Sequence, residues 1–114
     1  MVHVLATIEL QTGVRTRFLG EFQQIVPTVR AEDGCLEYGA TVDVFTGLVS
    51  QLPLRDDVVV VVEKWRDLPA LVAHLGAPHM TSYRARVKDL VVKTTLQVLA
   101  PAPGSDPNAV ASGV

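Results

Sequence analysis

The sequence predicts an α+β domain: one antiparallel sheet with its helices on a single face. Three observations carry this. Residues Val58–Trp65 contain five consecutive valines, which place β-branched apolar groups on both faces of one strand and so mark it as central and covered twice. The periodic segments run in the order strand, helix, strand, strand, broken helix, strand. With 114 residues, the chain has room for one core and not for two.

Residues Val2–Leu10 read as the first strand, apolar on both faces and therefore a neighbour of the valine strand, ended by the turn signal Gln11, Thr12, Gly13. From Arg15 to Arg30 the period changes to helical. Phe18, Leu19, Phe22, Ile25, Val26 and Val29 fall on one stripe, with Pro27 opposite it, where it removes a backbone hydrogen bond and is expected to kink the helix. Asp33 and Gly34 close this helix, and Glu32 with Asp33 reads as a solvated helix end. Residues 35–44 then alternate, with Leu36, Tyr38, Ala40, Val42 and Val44 on one face and a wet opposite face, the pattern of an edge strand. Residues 45–57, with Gly47 and Pro53, read as a long connection with room for a short strand extension.

After the valine strand, Asp67 is placed to cap a short helix with Pro69 in its first turn and Leu68, Leu71, Val72 and Leu75 as its apolar stripe; Gly76 stops it. Pro78 starts another helix with Met80, Tyr83, Val87, Leu90 and Val91 on one face. Residues 92–99 form the last strand. Residues 101–114 have no periodic pattern and are expected to be a flexible tail after a domain of residues 1–100. The order as a whole is the ferredoxin-like β-α-β-β-α-β arrangement. A chain this short cannot cover both sheet faces, so a second copy is expected on the bare one.

Composition excludes several functions. A net charge of −2 with acidic and basic residues mixed along the chain gives no basic stripe for a nucleic acid. The N-terminal apolar run is broken by Glu9 and lacks a basic leader, so neither membrane insertion nor export is expected and a cytoplasmic location is. The single cysteine, Cys35, fits a reducing compartment and reads as buried and inert.

Candidate chemistry gathers in the second half of the chain. His79 and Tyr83 stand four apart on the last helix, able to take a phenolic proton and orient a ring, or simply to cap and pack. His74 lies at the edge of its helix stripe, beside Leu71. Two histidines without a third ligand in a recognisable pattern give no expected metal site. Trp65, the only tryptophan, is suited either to stack on an aromatic ligand or to fill the core. Alternation sets Glu63 on the side of Trp65, so it approaches the pocket if Trp65 lines it, with a surface ion pair as the commoner fate of such a residue.

Several segments together resemble the antibiotic biosynthesis monooxygenase superfamily, and within it the small bacterial quinol monooxygenases. These are Ile25 to Val29 around Pro27, Glu32 to Cys35 followed by Tyr38, Glu63 to Trp65, Ala73 to Leu75 around His74, and Pro78 to Met80 followed by Tyr83. The resemblance spans residues 2–101. It implies a dimeric α/β barrel of two ferredoxin-like protomers, each with a cavity between sheet and helices. It also implies oxidation of quinol-like or polycyclic aromatic substrates by molecular oxygen without cofactor or metal. The residues expected in such a site are His79, His74 and Tyr83 for catalysis and Trp65, Tyr38, Phe22 and Met80 for substrate binding. Two rivals keep the fold: an isomerase of a small phosphorylated sugar-like metabolite, and a non-catalytic small-molecule-binding dimer.

Overall fold

The computed structural model describes residues 1–104. Seven elements follow in order: β1 (Val2–Leu10), α1 (Arg15–Arg30), β2 (Cys35–Thr41), β3 (Val58–Trp65), α2 (Leu68–Leu75), α3 (Pro78–Val87) and β4 (Val91–Leu99). The four strands form one antiparallel sheet in the order β2-β3-β1-β4, the ferredoxin-like arrangement. The valine strand is internal, paired with β1 along its whole length, and β2 is an edge, as their side-chain patterns require.

The helices cover the sheet face that carries Val4, Ala6 and Ile8 of β1 and Val59, Val61, Glu63 and Trp65 of β3, all buried. Phe18, Phe22, Ile25, Val26 and Val29 of α1 pack onto it, and Pro27 sits exposed inside a helix that continues to Arg30. The opposite face, with Leu5, Val58, Val60 and Val62, is half-exposed, and among the described residues no helix lies over it.

The structure corrects four local expectations. Leu36 does not share a face with Tyr38: the β2–β3 register shifts between Cys35 and Glu37, and this bulge turns Leu36 outward while Tyr38 is buried. Strand β2 ends at Thr41, so Val42 and Val44 belong to an exposed connection of residues 42–57 that contains no strand. Part of that connection is pinned by Arg55, whose backbone N and guanidinium both donate to Asp43. Helix α2 buries Ala70, Leu71 and His74 and leaves Leu68 and Val72 outside, because its inward face meets Trp65 and the turn after α1. Helix α3 ends at Val87, so Leu90, though buried, lies beyond it, and β4 begins one residue early, at Val91. Of the expected tail, residues 105–114 lie outside the described residues.

Candidate active site

The turn between α1 and β2 sets the site. Gly34 adopts φ +84°, and a Cβ there would stand 2.6 Å from the Cβ of Ala70, so only glycine lets this turn lie flat on α2. Arg66 fastens it: its backbone N donates to Gly34 O at 2.8 Å, and its guanidinium grips both carboxylate oxygens of Asp33 at 3.1 and 3.0 Å. Asp67 caps α2 by accepting from the N–H of Ala70 at 2.9 Å. Docked in this way, the turn carries Glu32 inward.

Glu32 therefore meets both histidines. Its Oε2 accepts from His74 Nδ1 at 2.8 Å and from His79 Nε2 at 3.0 Å. The solvated helix end expected for Glu32 is thus overturned, since its side chain is only 15% exposed. His74 is 2% exposed, and its ring lies 4.6 Å from that of Trp65 and 5.4 Å from that of Tyr38. Its Nε2 stands 4.0 Å from Glu63 Oε1, which in turn accepts from Trp65 Nε1 at 2.9 Å. Glu63 is buried as well, on the side where alternation placed it with Trp65, and among the described residues makes no surface ion pair. Burial, reinforced by the Glu32 charge and opposed by the indole N–H, lifts its carboxyl to about 7.

A cavity of about 370 Å³ opens between this sheet face and helices α2 and α3, within the size range of small-ligand sites. Its wall is mostly apolar: Ile8, Val61, Phe22, Met80 and Leu96 among others, joined by the polar groups of Tyr38, Glu63, His74, Tyr83 and Thr94, with Arg84 and Lys88 contributing cations. Burial lowers the His74 pKa, against the opposing pull of Glu32, and raises both tyrosine hydroxyls, so imidazole and phenols rest neutral here. The carboxylate of Glu32 fixes the His74 proton on Nδ1, which leaves the Nε2 lone pair free on the side of Glu63 and the cavity.

The structure brings five of the seven sequence-derived site residues to this cavity: His74, Tyr83, Tyr38, Phe22 and Met80. Two stand elsewhere. His79 lines a separate surface depression with Glu32 and Arg66, because α3 turns it away from the sheet. Trp65 is wholly buried behind His74 and Glu63, and so cannot stack on a ligand in the cavity. Sequence reasoning undervalued Glu63 and Glu32. Alternation did place Glu63 with Trp65; nothing local signals Glu32, whose partners lie 42 and 47 positions away.

Comparison with known proteins agrees with the fold. The solved structure of Rv0793 from Mycobacterium tuberculosis superposes with a TM-score of 0.71 at 27% identity, covering 92% of this chain and 98% of that one. The crystal structure of PA3566 from Pseudomonas aeruginosa gives a TM-score of 0.69 at 24% identity over 86% and 90% of the two chains, a likeness of fold. In sequence, the "Probable quinol monooxygenase YgiN" of Escherichia coli K12 is 38% identical over 103 residues, 89% of this chain and 98% of that protein. The family model described as antibiotic biosynthesis monooxygenase matches residues 1–86. The chain belongs to the antibiotic biosynthesis monooxygenase family.

Proposed function

We propose that this monooxygenase oxidises a quinol-like or polycyclic aromatic substrate with molecular oxygen, using no metal or flavin, and that His74 is its general base. The observation that carries the reading is the buried imidazole of His74, oriented by a carboxylate on Nδ1, in the wall of an otherwise apolar cavity. The ring of such a substrate lies among Phe22, Tyr38 and Met80, and Tyr83 holds its hydroxyl by a hydrogen bond. His74 Nε2 takes the hydroxyl proton. The aromatic anion passes one electron to oxygen, the resulting radical and superoxide join in a C–O bond, and His74 returns its proton to the peroxide anion so formed. The hydroperoxide then loses its outer OH with the hydrogen of the same carbon as water, and the carbon becomes a carbonyl, so the ring gains one oxygen and loses two hydrogens. The protein's share is binding, proton transfer and charge stabilisation, the last from Arg84 and Lys88. His79 acts from outside by holding Glu32.

Oxygen uptake with a reduced naphthoquinol, corrected for spontaneous oxidation, tests the reading. Uptake above background that collapses in His74→Ala supports it. Absence of uptake by the metal-free native protein refutes it. The isomerase alternative is favoured by one feature, the pair of cations on the cavity wall, which suits a phosphorylated ligand. It is separated by turnover that persists under anaerobic conditions.

We also infer that a second copy covers the open sheet face, where Leu5, Val58, Val60 and Val62 stand half-exposed. The connection adds the exposed apolar residues Phe45, Leu48, Val49 and Leu52, which suit contact with a second copy as well.

A further inference from the structure

The sequence offered two histidines and no third ligand; the fold supplies one. Glu32 Oε2, His74 Nδ1 and His79 Nε2 lie within 4.8 Å of one another, contributed by the α1–β2 turn, α2 and α3. A tetrahedral zinc ion binds nitrogen and oxygen donors at about 2.0–2.2 Å, which sets those donors roughly 3.3 Å apart. The observed separations of 2.8 and 3.0 Å from Glu32 to the two imidazoles approach that spacing, and the two imidazole nitrogens stand within 4.8 Å of each other, so an ion enters by small side-chain shifts that even out the three edges.

Two further features suit an ion. Glu32 and His79 border a surface depression whose other walls include the small side chains of Ala70, Ala73 and Ala77, leaving room for water as a fourth ligand. The cation that borders it, Arg66, is already paired with Asp33. On the inner side, a metal on Nδ1 places the proton of His74 on Nε2, which faces Glu63 Oε1 at 4.0 Å. The gap exceeds hydrogen-bond length, and a shift that closed it would give the carboxyl–histidine–metal relation that holds and tunes metal ligands. Glu63 is itself fixed by the indole of Trp65.

We propose that Glu32, His74 and His79 form a binding site for one divalent transition-metal ion of the zinc class, reached from the surface opposite the substrate cavity. Two nitrogens and one oxygen select zinc, cobalt or nickel over magnesium and calcium, which require oxygen ligands. Occupancy has a consequence that rests on His74 being the catalytic base. Metal on Nδ1 protonates Nε2 and removes its lone pair from the cavity, so the ion is a reversible inhibitor that does not compete for the substrate's place.

The test titrates metal-stripped full-length protein with Co(II), followed by visible absorption, and with Zn(II), followed by calorimetry. The expected result is one ion per chain with d–d bands of four- or five-coordinate cobalt, displaced by zinc. Glu32→Gln and His79→Ala weaken binding by at least about tenfold and His3→Ala leaves it unchanged, each variant first checked for native circular dichroism; second-shell losses alone reach about tenfold or more. His79 is 28% exposed, so its truncation leaves the core intact. Absence of saturable 1:1 binding, or binding that survives both substitutions, overturns the site. Metal binding without inhibition of an active enzyme leaves the site standing and overturns the role of His74 as base.

Discussion

Replacing Glu63 by glutamine changes how stability depends on pH. Glu63 is 5% exposed, with the indole N–H of Trp65 on one oxygen, His74 Nε2 nearby, and Tyr38 and Glu32 as its other polar neighbours. Its carboxyl sits at about 7 in the fold against an ordinary 4.5. Between those values the folded chain holds a proton that the unfolded chain has released. Stability therefore falls as pH rises through this interval and levels off above it. At about 1.4 kcal/mol per pH unit, the interval corresponds to a loss of about 3 kcal/mol. Glutamine keeps the carbonyl that accepts from Trp65 and cannot ionise, so it removes this loss. Urea unfolding followed by circular dichroism, at pH 5, 6, 7 and 8 for both proteins, measures the effect. The stability of Glu63→Gln relative to the native protein is expected to rise steadily to pH 7, by about 2–3 kcal/mol, then hold constant. A difference that does not vary across this range refutes the placement of Glu63 as a buried, neutral carboxyl.

Other substitutions probe the elements that build the site. Gly34→Ala combines a left-handed backbone with a contact of 2.6 Å to Ala70, and is expected to cost about 1–3 kcal/mol in thermal unfolding while loosening the grip of Glu32 on His74. Asp67→Ala loses the α2 cap and is expected to lower the midpoint of thermal unfolding. The Ala70 N–H, helped by Arg66, holds the Asp67 carboxyl below its usual range, so the cap's contribution is full at neutral pH and fades as pH falls through the acidic range; a native-minus-variant difference independent of acid contradicts this. Tyr83→Phe is expected to lower turnover of a naphthoquinol by about tenfold or more while leaving unfolding cooperative, as a lost orienting hydrogen bond predicts; unchanged kinetics remove Tyr83 from the mechanism. Val60→Asp, on the open sheet face, is expected to yield monomers in light scattering; an unchanged mass places any interface elsewhere.

The fold was legible where side-chain period and burial agree. Five valines in a row admit only an internal strand, and the stripe of α1 returns as Phe18, Phe22, Ile25, Val26 and Val29 in the core. Legibility failed where tertiary contacts decide. A bulge, invisible in the alternation of residues 35–44, turned Leu36 outward. Helix α2 buried His74 in preference to Leu68 and Val72, because Glu32 satisfies one ring nitrogen and Trp65 stacks on the ring, which makes the imidazole an acceptable core residue. Histidine and tyrosine spacing singled out part of the cavity wall but placed His79 on the wrong surface, since a pattern of four says nothing of which way a helix faces. The Glu32 contact depends on how one turn docks on α2, a relation that no local window contains.

The position of Trp65 makes the protein its own optical probe. The chain has a single tryptophan, and that indole lies against His74 and donates to Glu63, two groups of the cavity wall, while having no contact with solvent. A protonated imidazole in ring contact quenches indole emission, and ionisation of the carboxylate that accepts its N–H shifts the emission energy. Intensity and wavelength thus report separately on the two groups. Both signals come from one fluorophore in the unlabelled chain, so the charge state of the cavity can be followed during turnover on the timescale of stopped-flow mixing.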